Sequence, residues 1–145
     1  PQAEANKWAA SGLVEEGKKA VWQGQVKKAL AAYAKAQTLD PTLKISAESW
    51  NDLCWHGSLQ GYAADVMQAC DQAIALEPGN GAKRDSRGLA RALTGNVDDA
   101  ITDFEEFIDQ TNNAQAKAQR QRWIDDLRAG KNPFTPEEIE GLRKQ

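Results

Sequence analysis

Apolar residues along this chain recur every three or four positions, in windows broken at regular intervals, and nowhere do they alternate as strands do. The breaks fall at Gly24, Gly61 and Gly95, 37 and then 34 residues apart. Five residues after each break comes a small side chain, Ala29, Val66 or Ala100, and four further on sits Tyr33, Cys70 or Phe104. The first two units close on TLDP (38–41) and ALEP (75–78). A period of this size marks a stacked array of helix pairs. The pattern predicts helices over about 4–22, 26–39, 46–59, 62–76, 82–94 and 97–110, and a seventh over about 114–129 closed by Gly130. The segment NPFTPEEIEGLRKQ carries a start signal for an eighth, about 136–144. Thr135 is its N-cap, Pro136 its first residue and Glu138 its capping-box partner, with Phe134 and Ile139 at the spacing of a hydrophobic staple. The pattern leaves open whether this helix folds back onto the array or extends toward a neighbour.

Composition narrows the class. The 145 residues fit one domain, 1–145, with a continuous core. A net charge of −3 argues against general nucleic-acid binding, and no apolar run approaches the roughly 20 residues of a membrane span, so a soluble protein is expected. The chain begins at Pro1 rather than Met, which fits a mature product or a piece of a longer protein. Two cysteines are too few for a disulfide framework, so the compartment stays open, with the cytoplasm preferred.

The repeat units resemble tetratricopeptide repeats, over residues 10–43, 47–80 and 81–114. In the second unit Trp50 and Leu53 open the pair, Gly61 and Tyr62 make its turn, and Ala73, Leu76 and Pro78 close it. The first unit supplies Leu13, Gly17, Ala20, Gly24, Ala29, Tyr33, Ala36 and Pro41. The third supplies Gly88, Gly95, Ala100 and Phe104 and has Asn112 where the closing proline is expected. The resemblance implies an all-α solenoid of three helix pairs wound into a short superhelix, with a capping helix and a terminal helix. More loosely, LCWHGSL, RDSRGLARALTGN and WIDDLRAGKNPFT resemble the repeat segment of large cyanobacterial and other bacterial multidomain proteins, which would make this unit an adaptor within a longer chain.

The family's partner site is a concave groove lined by the first helix of each pair. Carried onto this sequence, the lining is Val14 and Lys18 with Val21, then Asn51, Trp55 and Ser58, then Asp85, Leu89 and Ala92. Trp55 is a candidate hot spot for a protein or peptide, with Asn51 one turn away to bond its backbone; the bland alternative packs Trp55 on the first or the capping helix. Trp8 and Trp22 are expected to cover core, and Trp123 to anchor the seventh helix. Members of the family that grip a C-terminal carboxylate use a clamp of basic and asparagine side chains. Of the matching positions only Lys18 is kept; the others are Val14, Asp52, Ala82 and Ser86, and Asp52 would repel a carboxylate.

Arg84, Arg87 and Arg91 share one helix face, where the second unit has Trp50, Leu53 and Cys54. An unpaired buried guanidinium is costly, so these arginines predict an ion-pair network with carboxylates of the neighbouring helices, Asp65, Asp71, Asp98, Asp99, Asp103, Glu105 and Glu106; the alternative is an anion or acidic-peptide site, which Arg120, Arg122 and Arg128 would extend. Cys54 and Cys70 face each other across the second pair and are expected to be free thiols, because packed helix axes lie about 8–10 Å apart, while a disulfide remains the alternative. His56, the one histidine, points to another side of its helix than Cys54, so no metal set assembles. No nucleophile–histidine pairing, phosphate loop or cofactor motif is present, and paired acids such as Asp98–Asp99 point to different faces. The sequence therefore predicts a non-catalytic interaction scaffold without cofactor or metal, or else a structural or oligomerisation module of its parent chain.

Overall fold

The computed structural model describes all 145 residues, in eight helices with no strand. They are α1 (Gln2–Trp22), α2 (Val26–Leu39), α3 (Ala47–Leu59), α4 (Met67–Leu76), α5 (Gly81–Leu93), α6 (Val97–Gln110), α7 (Ala114–Arg128) and α8 (Pro136–Arg143). None is long and apolar enough to cross a membrane.

The breaks are built alike. Gly24, Gly61, Gly95 and Gly130 all have positive φ, between 73° and 92°, a conformation that glycine adopts without a steric penalty. Beside each, a backbone N–H reaches back to the last turn of the helix: Gln25 to Ala20, Tyr62 to Gly57, Asn96 to Arg91 and Lys131 to Asp126. These are the bonds of a Schellman ending. The starts repeat as well. Ser46, Asn80 and Asn113 each accept a hydrogen bond from the backbone three residues on, and Thr135 does the same for α8. Only α4 departs from the pattern by more than two residues. It begins at Met67 because residues 63–66 form separate turns, with Val66 at the cap position and against Gly57.

Within each unit the two helices pack closely, α1 on α2, α3 on α4 and α5 on α6. A recurring pair makes this possible. Gly17 lies under the Tyr33 ring and Gly88 under the Phe104 ring, at distances no Cβ would tolerate. Both pairs are 16 residues apart, and in the second unit the same two places hold Cys54 and Cys70. These form a disulfide with Cα atoms 4.9 Å apart. The free thiols expected from average helix spacing are therefore not found. Facing Cα atoms lie closer together than the helix axes by a radius of about 2.3 Å on each side, so ordinary axis spacing already admits this bridge, with Gly57 against Val66 and small Ala69 and Ala73 beside it.

First helices of neighbouring units touch, α1 with α3 and α3 with α5, whereas α2, α4 and α6 do not touch one another. The layer of first helices is thus the inner, concave side of the stack. Two cores follow. One joins the first two pairs around Tyr33, Trp50 and Leu53; the other joins the third pair to α7 and α8 around Leu89, Phe104 and Trp123. Trp123 anchors α7, its ring meeting Phe104 at 5.3 Å and Phe134 at 4.9 Å. Trp8 and Trp22 cover no core: they are 76% and 66% exposed. Both lie on α1, and Trp22 meets the His56 ring of α3 at 4.5 Å without being covered by it.

Candidate functional site

The inner face divides into a filled half and an open half. On the filled half, α7 sends Arg120 across to α5, where Nε and Nη2 donate to the two Asp85 carboxylate oxygens at 3.0 and 2.7 Å. Its guanidinium lies 4.5 Å from the Trp123 ring centre, 5.0 Å from Phe107 and 5.6 Å from Trp55. Nη1 donates to Gln119. Burial raises the Asp85 carboxyl pKa, and the two bonds from Arg120 oppose it. The α8 segment closes the rest of this half. Leu142 is buried, Ile139 packs against the same core, and Arg143 donates twice to the Leu59 carbonyl at the end of α3, at 2.7 and 3.2 Å. Thr135 caps α8 as expected. Glu138, however, does not close the box back onto Thr135, because its carboxylate accepts from Gln119 and from the Trp123 indole.

These contacts change the predicted groove. Val14, Ser58, Asp85 and Leu89 lie on or beside the inner layer but are buried, and Ser58 donates to the carbonyl of Cys54. All four side chains are largely withdrawn from solvent, and Ser58 edges a surface cavity of about 340 Å³ with Ala63, Leu93 and Ile139. Ala92 is half-buried and packs against the second core. Trp55 is half-buried, packed against the second core with its ring near the Arg120 guanidinium of α7. Lys18 pairs with Glu15 at 3.1 Å.

The open half lies between α1 and α3. Asn51, Asp52, Trp55 and His56 follow one another along α3, all half-exposed. Burial lifts the Asp52 carboxyl pKa above the ordinary value, partly opposed by His56. Burial also pushes His56 below 6.5, against the pull of Asp52, and its ring lies 4.5 Å from Trp22. Lys83, nearly buried on α5, is bound by Glu48 and, at 3.0 Å, by Glu77. Burial alone would lower its pKa; the two carboxylates outweigh that and raise it. Asp52 and His56 were not among the expected groove residues. Their place at one helical turn apart, beside Asn51 and Trp55, is the sequence signal for them.

The three arginines of α5 lie away from the groove and converge on Asp103 of α6, which is 1% exposed. Arg87 donates to it through Nε and Nη2 at 2.9 and 3.0 Å, and Arg91 through Nη1 at 2.8 Å. Arg84 stands off at 3.9 Å and bonds the Pro78 carbonyl instead. Asp71 of α4 adds a contact to Arg87 at 3.5 Å. Burial opposes charging Arg87, but its bonds to Asp103 dominate and raise its pKa. Arg120 does not extend this cluster, since it serves Asp85. Arg128 pairs with Glu105 at 3.2 Å.

No family model and no curated protein matches the sequence. Solved structures do match the fold. The first TPR domain of human RPAP3, determined by NMR, superposes with a TM-score of 0.64 at 24% identity, covering 84% of this chain and 94% of that one. The first TPR of Spaghetti (RPAP3), bound to the HSP90 peptide SRMEEVD, gives 0.64 at 23% identity, covering 85% and 95%. Neither bears on the looser resemblance to bacterial multidomain proteins. The matched architecture, the glycine breaks and the stacked helix pairs agree: this chain has the fold of a tetratricopeptide-repeat domain.

Proposed function

We propose that the chain is a non-catalytic interaction scaffold that receives a segment of a partner protein on the open, α1–α3 half of its inner face. The observation that carries this reading is the division of that face. Arg120 and α8 fill one half, while Asn51, Asp52, Trp55 and His56 stand half-exposed on the other. The contact set is accordingly Lys18, Asn51 and Trp55 from the expected groove, joined by Asp52 and His56. A neighbour of the same fold binds an HSP90 peptide, which supports a peptide as the kind of partner. That peptide, SRMEEVD, is rich in acids, and Asp52 disfavours the same ligand here. Catalysis has no support from the side chains: the one histidine packs on Trp22 and both thiols are consumed in the disulfide.

The test is a heptapeptide display selection on the immobilised chain, with enriched peptides mapped by amide shifts in the 15N-labelled protein. Shifts along α1 and α3, and affinity reduced about tenfold or more in Asn51→Ala/Trp55→Ala, are the expected result. Enriched peptides that map to α2, α4 and α6, or an unenriched library, would overturn it. A second reading, a module that docks to its own parent chain or to another copy, is favoured by the exposed Trp8 and Trp22 on α1. Sedimentation over a hundredfold concentration range separates self-association from both other cases.

A further inference from the structure

The two most exposed aromatic side chains of the molecule share one helix. Trp8 is 76% and Trp22 66% exposed, both on α1. They stand 14 residues apart, close to four full turns, and so on one side of it. Between them the same side carries Gly12, Glu15 and Lys19, all exposed. Gly12 lies in the interior of a 21-residue helix, where glycine is less stable than alanine. Other interior glycines of the first helices each receive a neighbouring side chain, Gly17 that of Tyr33, Gly57 that of Val66 and Gly88 that of Phe104. Around Gly12 nothing lies within 4 Å of where a Cβ would stand.

The later units show what covers such a face. Aligned on the turn glycines Gly24, Gly61 and Gly95, Gly12 and Lys19 of α1 correspond to Ser49 and His56 of α3 and to Lys83 and Ala90 of α5. In α5 both side chains face the pair before it. Ala90 is buried in the first core, and Lys83, also buried, binds Glu48 of α3 and Glu77 just after α4. In α3, Ser49 is buried beside Tyr33 of α2, and His56 meets Trp22 of α1. These positions thus form a helix-packing seam in two units and are bare on α1, so a helix is the shape that fits them. Charge then selects the helix. Glu4, Lys7 and Lys19 are exposed and form no ion pair within the chain. Along α1 the order is Glu4, Lys7, Glu15, Lys19. Two such helices laid antiparallel, crossing near Ser11 and Gly12, bring Glu4 to Lys19 and Lys7 to Glu15 of the other copy, each pair twice. A parallel arrangement sets like against like.

We propose that the exposed face of α1 is a homodimer interface, on which α1 of a second copy packs antiparallel with the two Gly12 backbones near the crossing. The contact is isologous, so each Trp8 lies along the other helix near Glu15 and each Trp22 near its first turn. A helix of this length is about 30 Å long and about 10–12 Å across, which gives roughly 300–400 Å² of footprint per copy. That is below the roughly 800 Å² per partner of a standard interface, so the dimer is a weak one, with a Kd on the order of 10–100 μM. The interface goes beyond the groove-binding reading and is independent of it, since Asn51 and Trp55 of α3 take no part.

The experiment is sedimentation equilibrium of the chain from about 2 to about 200 μM, where a monomer–dimer equilibrium is expected. Lys19→Glu sets two acids against each other and should weaken dimerisation about tenfold or more, as should Glu4→Lys, which sets two bases together. An equimolar mixture of these two variants should dimerise again, because each altered side chain then meets its opposite. Trp8→Ser should also weaken the dimer about tenfold or more. All three positions are exposed, so the variants keep the fold, which their melting temperatures check. Asn51→Ala/Trp55→Ala should dimerise as the parent does. A chain that stays monomeric at the highest concentration overturns the interface and leaves the groove reading untouched. Self-association that Lys19→Glu and Trp8→Ser leave unchanged also overturns it. If Asn51→Ala/Trp55→Ala abolishes that association, the copies meet through the groove instead of through α1.

Discussion

Asp103 has three arginines around it and almost no contact with water, so its carboxylate and their guanidiniums depend on one another. Removing the shared anion leaves Arg87 and Arg91, 14% and 22% exposed, without their main partner. Asp103→Ala is therefore expected to cost about 3–5 kcal/mol in urea unfolding. Arg84→Ala should cost under about 1 kcal/mol, since Arg84 is 29% exposed and 3.9 Å from the carboxylate. Equal losses in the two variants would mean that Asp103 is not the hub. His56 belongs to the same scale and gives a pH dependence of defined sign. Its folded pKa is depressed below 6.5, so the unfolded chain takes up the proton first as pH falls. The stability it contributes is present above pH 6.5 and is lost as pH drops toward the folded value. Between pH 7.5 and 5 the melting temperature should fall, and fall less in His56→Gln. Melting curves of both proteins across that range check it. Asp52 has the opposite linkage, because its raised pKa makes the ionised form the destabilising one at neutral pH.

At the scale of the element, the second helix pair is the informative one. Its bridge closes 16 residues of chain, and a loop of that length corresponds to about 3 kcal/mol of restricted unfolded state. The Cys54→Ala/Cys70→Ala chain should lose about that much in urea unfolding, and reductant under denaturing conditions should bring the parent chain to the same stability. A loss well under 1 kcal/mol would mean that the close approach of α3 and α4 is set by Gly57, Ala69 and Ala73 rather than by the bridge. The elements themselves were largely legible, because each break carries a glycine that the chain needs at positive φ and each later first helix opens on a capping side chain. The bridge was not deduced, although its signal was present. Gly17–Tyr33 and Gly88–Phe104 share the spacing of Cys54–Cys70, so the two cysteines occupy positions where the backbones nearly touch. Axes about 8–10 Å apart leave facing Cα atoms only about 3.4–5.4 Å apart, so the average spacing itself admits a bridge between residues that point at each other. The late start of α4 was illegible too: Val66 fits the helical pattern but is seated on Gly57 at the cap.

Across the whole molecule, the register that placed Asp85 and Leu89 on the inner face was sound as local geometry, yet it carried no information about what else reaches that face. Arg120 is the case in point. It lies three and four residues before Trp123 and Ile124, hence on the buried side of α7, and that position argued for a core partner such as Asp85 rather than for the arginine face of α5. The return of α8 onto α3 depends on contacts 84 residues apart in the chain, Arg143 with Leu59, which no local pattern encodes. Because α8 touches α3 and the second core but not the first, its removal should be felt unevenly. Ending the chain after Thr135 uncovers the surface under Leu142 and Ile139, takes the acceptor from the Trp123 indole and frees the Leu59 carbonyl. Burying a leucine side chain is worth about 1.5–3 kcal/mol, so the truncation should cost about 2–4 kcal/mol in all. Hydrogen exchange should accelerate in α5, α6 and α7 while α1, α2 and α4, held in the first core by Tyr33, Trp50 and the bridge, keep their protection. Uniform loss across all eight helices would show instead that the two cores unfold as one unit. In that case α8 would hold the whole array, and the open half of the groove would depend on it as much as the filled half does.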